Sequence, residues 1–117
     1  MSKVKTHKDL EIWQLGIELV TRIYTMTSDF PKEELYGLIS QMRRAAVSIP
    51  SNIAEGAARN SNKEFLQFLY ISLASLSELE TQLIISKNLM FLTDSKPESI
   101  ELLRRKMLNF IKYLKNK

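Results

Sequence analysis

The stretch SNKEFLQFLYISLASLSELETQLIISKN, Ser61–Asn88, decides the fold. It contains neither glycine nor proline, so nothing in it punctuates the chain. Ser61 can cap the first turn of a helix, and Glu64 stands three residues on to complete a capping box. The run is far too long for one strand, and its apolar positions recur at helical spacing. Between Phe65 and Ser86 the only charges are Glu78 and Glu80, while Ser72, Ala74, Ser75 and Ser77 are small. Small side chains let helices approach closely, and so few charges predict that little of this helix faces water. Other helices must cover it.

The rest of the chain supplies them. Asp29-Phe30-Pro31-Lys32, Arg59-Asn60-Ser61-Asn62 and Thr93-Asp94-Ser95-Lys96-Pro97 break it three times. The spacing predicts a first helix over 9–27, a second over 33–59, a third starting after Ser61 and ending near Asn88, and a fourth starting after Ser95 and running to about Lys115. Ser95, Pro97 and Glu98 make a second capping box. No segment alternates with period two for long enough to make a strand. Long helices joined by short connections place neighbours antiparallel. The expected fold is therefore all-α: an antiparallel, up-down-up-down four-helix bundle, with residues 1–8 as an N-terminal tail and 9–117 as a single domain.

The composition narrows the function. The chain has 117 residues, enough for one hydrophobic core. Apolar residues make up 44% and charged residues 26%, a globular balance. The absence of cysteine removes disulfides, thiolate metal sites and cysteine nucleophiles, and fits a reducing cytosol. No uninterrupted apolar run of membrane-spanning length and no signal-peptide pattern is visible, so a cytoplasmic protein away from membranes is expected. His7 is the single histidine and falls in the expected tail. No phosphate-binding loop, dinucleotide loop or Glu-x-x-His pattern occurs. The reading is a binding protein, not an enzyme, with no metal and no cofactor.

The faces of the helices point to self-association. In the first helix, Leu10, Trp13, Ile17, Val20 and Tyr24 form one apolar stripe, and Ile12, Leu15, Leu19, Ile23 and Met26 form another. A surface helix of a monomer normally carries one stripe. Two predict burial on both sides, as in a homo-oligomer. The fourth helix is conventional: Ile100, Leu103, Met107, Phe110, Ile111 and Leu114 face inward. From Arg104 onward it has six basic residues and no acid.

The net charge is +4, and the expected topology concentrates it. One pole gathers Lys3, Lys5, Lys8, Arg59, Lys63, Lys112, Lys115 and Lys117 against Asp9 and Glu64. The other gathers Asp29, Glu33, Glu34, Asp94, Glu98 and Glu101 against Lys32 and Lys96. The expected nucleic-acid contacts are Arg59, Lys63, Arg104, Arg105, Lys112 and Lys115, because clustered cations hold phosphates in a salt-dependent way. The opposing reading is a solvated end that keeps the protein soluble.

In the second helix, Leu38, Met42, Ala45, Ile49, Ile53 and Gly56 line the core. Gln41, Arg44, Ser48, Asn52, Glu55 and Arg59 form a polar stripe beside it. A network between helices is expected there, with Glu78 or Glu80 as partners and with Arg43 and Arg44 pairing the acids. Pro50 cannot donate to the carbonyl of Ala46, so a kink or a break is expected.

This segment, Arg43-Arg44-Ala45-Ala46-Val47-Ser48-Ile49-Pro50-Ser51-Asn52-Ile53-Ala54-Glu55-Gly56, resembles the four-helix-bundle proteins encoded in intervening sequences of bacterial 23S ribosomal RNA genes. So do Asp9-Leu10-Glu11-Ile12-Trp13, Phe30 to Leu38, Glu64-Phe65 and Ser75 to Thr81. The resemblance implies a left-handed bundle and ring-like homo-oligomers, pentamers. It assigns no catalytic role to Arg43, Arg44, Ser48, Pro50, Asn52, Glu55 or Gly56, which stand as a structural motif. The gene location suggests RNA binding. A related bundle works beside a reverse transcriptase, so two readings stay open: RNA binding through the basic pole, or a scaffold for another protein.

Overall fold

The computed structural model describes residues 6–93 and 98–117. Among them are four long helices and no strand: α1 Glu11–Thr27, α2 Ser40–Ala57, α3 Asn62–Asn88 and α4 Glu98–Lys115. The molecule measures 48 × 24 × 22 Å. A 27-residue helix is about 40 Å long and packed helices sit about 8–10 Å apart, so the outline is one helix long and two helices wide. α1 packs on α2, α2 on α3, α3 on α4 and α4 on α1.

The core runs down the middle of this ring of contacts. Leu19 and Ile23 of α1 meet Met42, Ile49 and Ile53 of α2. Leu69, Leu76, Leu79 and Leu83 of α3 and Leu103 and Met107 of α4 complete it, all fully or almost fully buried. Phe30 and Phe91 close one end with ring centroids 5.4 Å apart.

The second helix starts later than expected and is unbroken at Pro50. Its α-helical part begins at Ser40, not near Glu33. A 3-10 turn, Lys32–Glu34, and a π-turn, Leu35–Ile39, precede it. The Glu34 carboxylate accepts from the Leu38 amide at 3.3 Å, and Gly37 leaves helical geometry at φ −112°, ψ −110°. Pro50, by contrast, does not break the helix, which runs from Ser40 to Ala57. The proline is buried against α1 at Gly16, where an added Cβ would lie 3.3 Å from the Pro50 Cβ. The missing side chain of Gly16 gives the ring its seat.

Ser61 caps α3 as expected, its hydroxyl accepting from the Glu64 amide at 3.2 Å. The second capping box, at Ser95, Pro97 and Glu98, falls mainly outside the described residues, as do Lys3, Lys5, Asp94 and Lys96. An 18-residue window of α3 has a mean hydropathy of 1.2, so by length and composition it could cross a membrane. Its serines and two glutamates hide this from a search for unbroken apolar runs. In the bundle its inward face carries Ser72, Ser75, Gln82 and Ser86 beside its leucines. Ser72 donates to the Ile49 carbonyl at 2.8 Å and Ser86 to the Gln82 carbonyl at 2.8 Å.

The expectation that little of α3 faces water does not hold within one chain. Tyr70, Ile71, Ile84 and Ile85 are exposed. So are Ile17 and Tyr24 of α1, from the first of its two stripes, while Ile12, Leu19 and Ile23 of the second are buried.

α3 ends in a Schellman motif. The Phe91 amide donates to the Ser86 carbonyl and the Met90 amide to the Lys87 carbonyl, each at 2.9 Å. Met90 takes the left-handed position, φ 66°, where glycine is usual, and its side chain is 89% exposed. A non-glycine residue there costs about 1–2 kcal/mol. Met90→Gly is expected to raise the unfolding free energy by about 1 kcal/mol, after allowing for the extra chain entropy of glycine. Urea denaturation of the two proteins checks it.

Candidate nucleic-acid interface

Four chain segments meet at one end of the molecule. Thr6 caps a 3-10 turn, His7–Asp9, through a capping box with Asp9. The turn leads into α1 at Leu10, which is buried. His7 stacks edge-on against Trp13, with centroids 5.1 Å apart. Phe65 at the start of α3 stacks on Phe110 near the end of α4 at 5.6 Å. Ala57 closes α2 against them. Between these parts lies a cavity of about 260 Å³, lined by His7, Asn62, Phe65, Phe110, Tyr113 and Lys117 among others.

The cations of this end fall into two groups. Arg59 is partly neutralised, with Glu55 at 3.8 Å and Glu64 at 4.0 Å, and its guanidinium lies over the Phe68 ring at 4.8 Å. Lys115 and Lys117 reach over the Tyr70 and Tyr113 rings, each at 5.6 Å. Lys63 and Lys112 are exposed and have no carboxylate partner among the described residues. The acids here are already engaged: Glu64 by Ser61 and Arg59, Asp9 by the Thr6 amide. The uncompensated charge is positive.

Arg104 and Arg105 stand apart from that cluster, roughly 10–16 Å along α4 from Lys112 and Lys115 at 1.5 Å per residue. Arg104 is committed elsewhere. It bonds Glu80 of α3 at 2.8 Å and both Glu101 oxygens at 3.1 Å, and only 22% of its side chain is exposed. Burial alone would lower its pKa. The hydrogen bond and charge of Glu80, then those of Glu101, outweigh it and hold the guanidinium above its ordinary range. Arg104 thus ties α4 to α3, as Lys106 ties α4 to α1 through Glu11 at 3.3 Å. Arg105 is exposed on the outer side of α4.

The motif in α2 builds a network with different partners from those expected. Neither Glu78 nor Glu80 pairs with it. Ser48 meets Ser75 of α3 at 2.9 Å, and the Asn52 amide donates to the Ser48 carbonyl and hydroxyl at 2.8 and 2.9 Å. Short hydroxyls suit a close α2–α3 contact that a longer carboxylate would prop open. Arg43 turns to α1, donating to the Thr27 hydroxyl at 2.9 Å and stacking over Tyr24 at 4.4 Å. Arg44 is exposed without an acid partner among the described residues. Gly56 lies under the aromatic rings of α3: an added Cβ would sit 2.7 Å from the Phe68 Cβ and 2.8 Å from the Phe65 Cδ1. Gln82 is buried with its Oε1 unpartnered among the described residues and its Nε2 3.4 Å from Glu78. Among the described residues, no three acidic or histidine side chains come together as a metal site would require.

The sequence pointed to the cations of this end and missed the cavity between them. His7 reads as a tail residue, because three residues of 3-10 turn give no periodic signal. The one available clue was Thr6 followed by Asp9, a capping pair.

An all-α protein of four long helices, with a charged, aromatic-lined end and a hydroxyl–amide seam in α2, defines the class. The sequence pattern of the 23S rRNA-intervening sequence proteins matches residues 8–113, and the chain belongs to that family. No curated protein is similar enough to match it.

Proposed function

We propose that this chain is a non-enzymatic, cytoplasmic subunit of a ring-like homo-oligomer that binds RNA through the end carrying Arg59, Lys63, Lys112 and Lys115. In this reading the helices run up-down-up-down in a left-handed bundle, which is the arrangement that brings the start of α1, the end of α2, the start of α3 and the end of α4 to one pole. The Phe65–Phe110 stack and the turn at His7–Asp9 support it. The observation that carries the RNA reading is the excess of positive charge there: Lys63 and Lys112 have no carboxylate among the described residues, and Glu64 and Asp9 are engaged. Arg104 serves the α3–α4 contact instead, and Arg105 makes at most an outlying contact.

Each phosphate neutralised releases counterions, so affinity must fall with salt. With about four phosphates held, the affinity for a structured RNA is expected to drop about a hundredfold between roughly 50 and 200 mM salt. A filter-binding titration at the two concentrations measures it. No binding at low salt, or an affinity indifferent to salt, rejects the RNA reading.

The second reading is an oligomeric scaffold for another protein, with no direct RNA role. The exposed Tyr70 and Ile71 near one end of α3, and Ile84 and Ile85 near the other, favour it, because exposed apolar patches mark interfaces.

A further inference from the structure

The cavity at the basic end has the size and the chemistry of a site for one nucleobase. At about 260 Å³ it lies just below the range of pockets that enclose drug-sized ligands. Its walls are aromatic: Phe65 and Phe110 stack at 5.6 Å, and Phe110 and Tyr113 lie 6.0 Å apart. Its polar groups are unspent. The His7 imidazole, the Asn62 side-chain amide and the Tyr113 hydroxyl have no hydrogen-bond partner among the described residues. A neutral amide, an imidazole and a phenol offer both donors and acceptors, which is what the edge of a base requires. Lys117 lines the cavity, while Lys63 and Lys112 follow and precede its lining residues Asn62 and Tyr113 in sequence.

We propose that this cavity takes an unpaired base from single-stranded RNA, with the flanking phosphates on Lys63, Lys112 and Lys117. The inference rests on the RNA reading above and adds the form of RNA bound. A duplex keeps its bases stacked and presents only its backbone and groove edges, so it cannot fill an aromatic pocket. Base stacking on aromatic side chains is tolerant of sequence, so discrimination between strand states should exceed discrimination between bases.

The protein carries its own reporter. Trp13 is the only tryptophan, and it touches His7, which lines the cavity. An oligoadenylate of about ten nucleotides, within the span such sites cover, is titrated at low salt against Trp13 fluorescence. A GC-rich RNA duplex of about ten base pairs, which stays paired at low salt, is titrated in parallel by filter binding. The single strand is expected to change the emission and to bind about tenfold more tightly than the duplex.

Tyr113→Ser removes an exposed ring and should weaken single-strand binding about tenfold while leaving duplex binding unchanged. Asn62→Asp places a carboxylate at the cavity and in the first turn of α3, where it favours the helix. It should fold normally and bind the single strand at least about tenfold more weakly. If duplex and single strand bind alike and Tyr113→Ser alters neither, or if Asn62→Asp weakens both equally, the base site is wrong and the basic end alone survives. If neither RNA binds at low salt, the underlying RNA reading fails with it.

Discussion

Gly56→Ala is expected to lower the unfolding free energy by about 2 kcal/mol or more, read as a fall in the urea midpoint at unchanged m-value. On propensity alone the substitution should help, since alanine is better than glycine inside a helix by about 1 kcal/mol. Packing reverses the sign. The new methyl would sit 2.7 Å from the Phe68 Cβ, 2.8 Å from the Phe65 Cδ1 and 3.2 Å from the Phe65 carbonyl oxygen. A ring can swing away, but a Cβ and a backbone oxygen move only with α3 itself. Pushing α3 from α2 opens the seam in which Ser48 meets Ser75 at 2.9 Å and Ser72 reaches the Ile49 carbonyl at 2.8 Å. Gly16→Ala is the control. There the nearest contact is 3.3 Å, to the edge of the Pro50 ring. The propensity gain and the mild crowding oppose each other, and the net change is expected within about 1 kcal/mol of zero. A Gly56→Ala protein as stable as the parent would mean that α2 and α3 do not pack this closely.

The contrast shows what was legible in the sequence. Gly56 could be placed on the core side of α2 by spacing, and the four helices by their caps and breaks, because each of these signals is local. Ser61 and Glu64 lie three residues apart and announce a helix start wherever the chain goes. The partner of a residue across a seam is not local. Ser48 meets Ser75, 27 positions on, because two helices happen to be close enough for hydroxyls. Longer acids one turn away, Glu78 and Glu80, looked equally suitable until the separation was known. Arg104 misled for the same reason: it counts as surface charge by composition, and only the approach of Glu80 to 2.8 Å takes it out of that account. Of the two outcomes expected at Pro50 a break does not occur, and the non-helical backbone of this region lies at Leu35–Ile39, where Gly37 carries it. The proline packs closely on α1 because Gly16 leaves space for its ring.

If the proposed ring forms, a single aspartate at Ile17 or at Ile85 is expected to convert it to monomers, measured as native mass. Ile17 belongs to an α1 row with Trp13, Val20 and Tyr24, and Ile85 stands beside Ile84 on the outer face of α3; both isoleucines are exposed in the isolated chain. The two patches lie on helices that pack chiefly on α2 and α4 rather than on each other, so they form two different surfaces. Two different sticky surfaces on one chain join head to tail, and such contacts close into a ring when the rotation allows it. In a ring every subunit contributes both surfaces, so one substitution damages every interface at once. Burying an unpaired carboxylate costs several kcal/mol at each of them, more than an interface of scattered apolar contacts can absorb. The fold should not suffer, because neither side chain belongs to the bundle core, and helical content and urea midpoint should stay near those of the separated wild-type subunit. Variants that keep the parent mass would remove these two patches from the assembly. A parent protein that is itself monomeric would remove the ring, and the exposed isoleucines would then have to answer to a different partner.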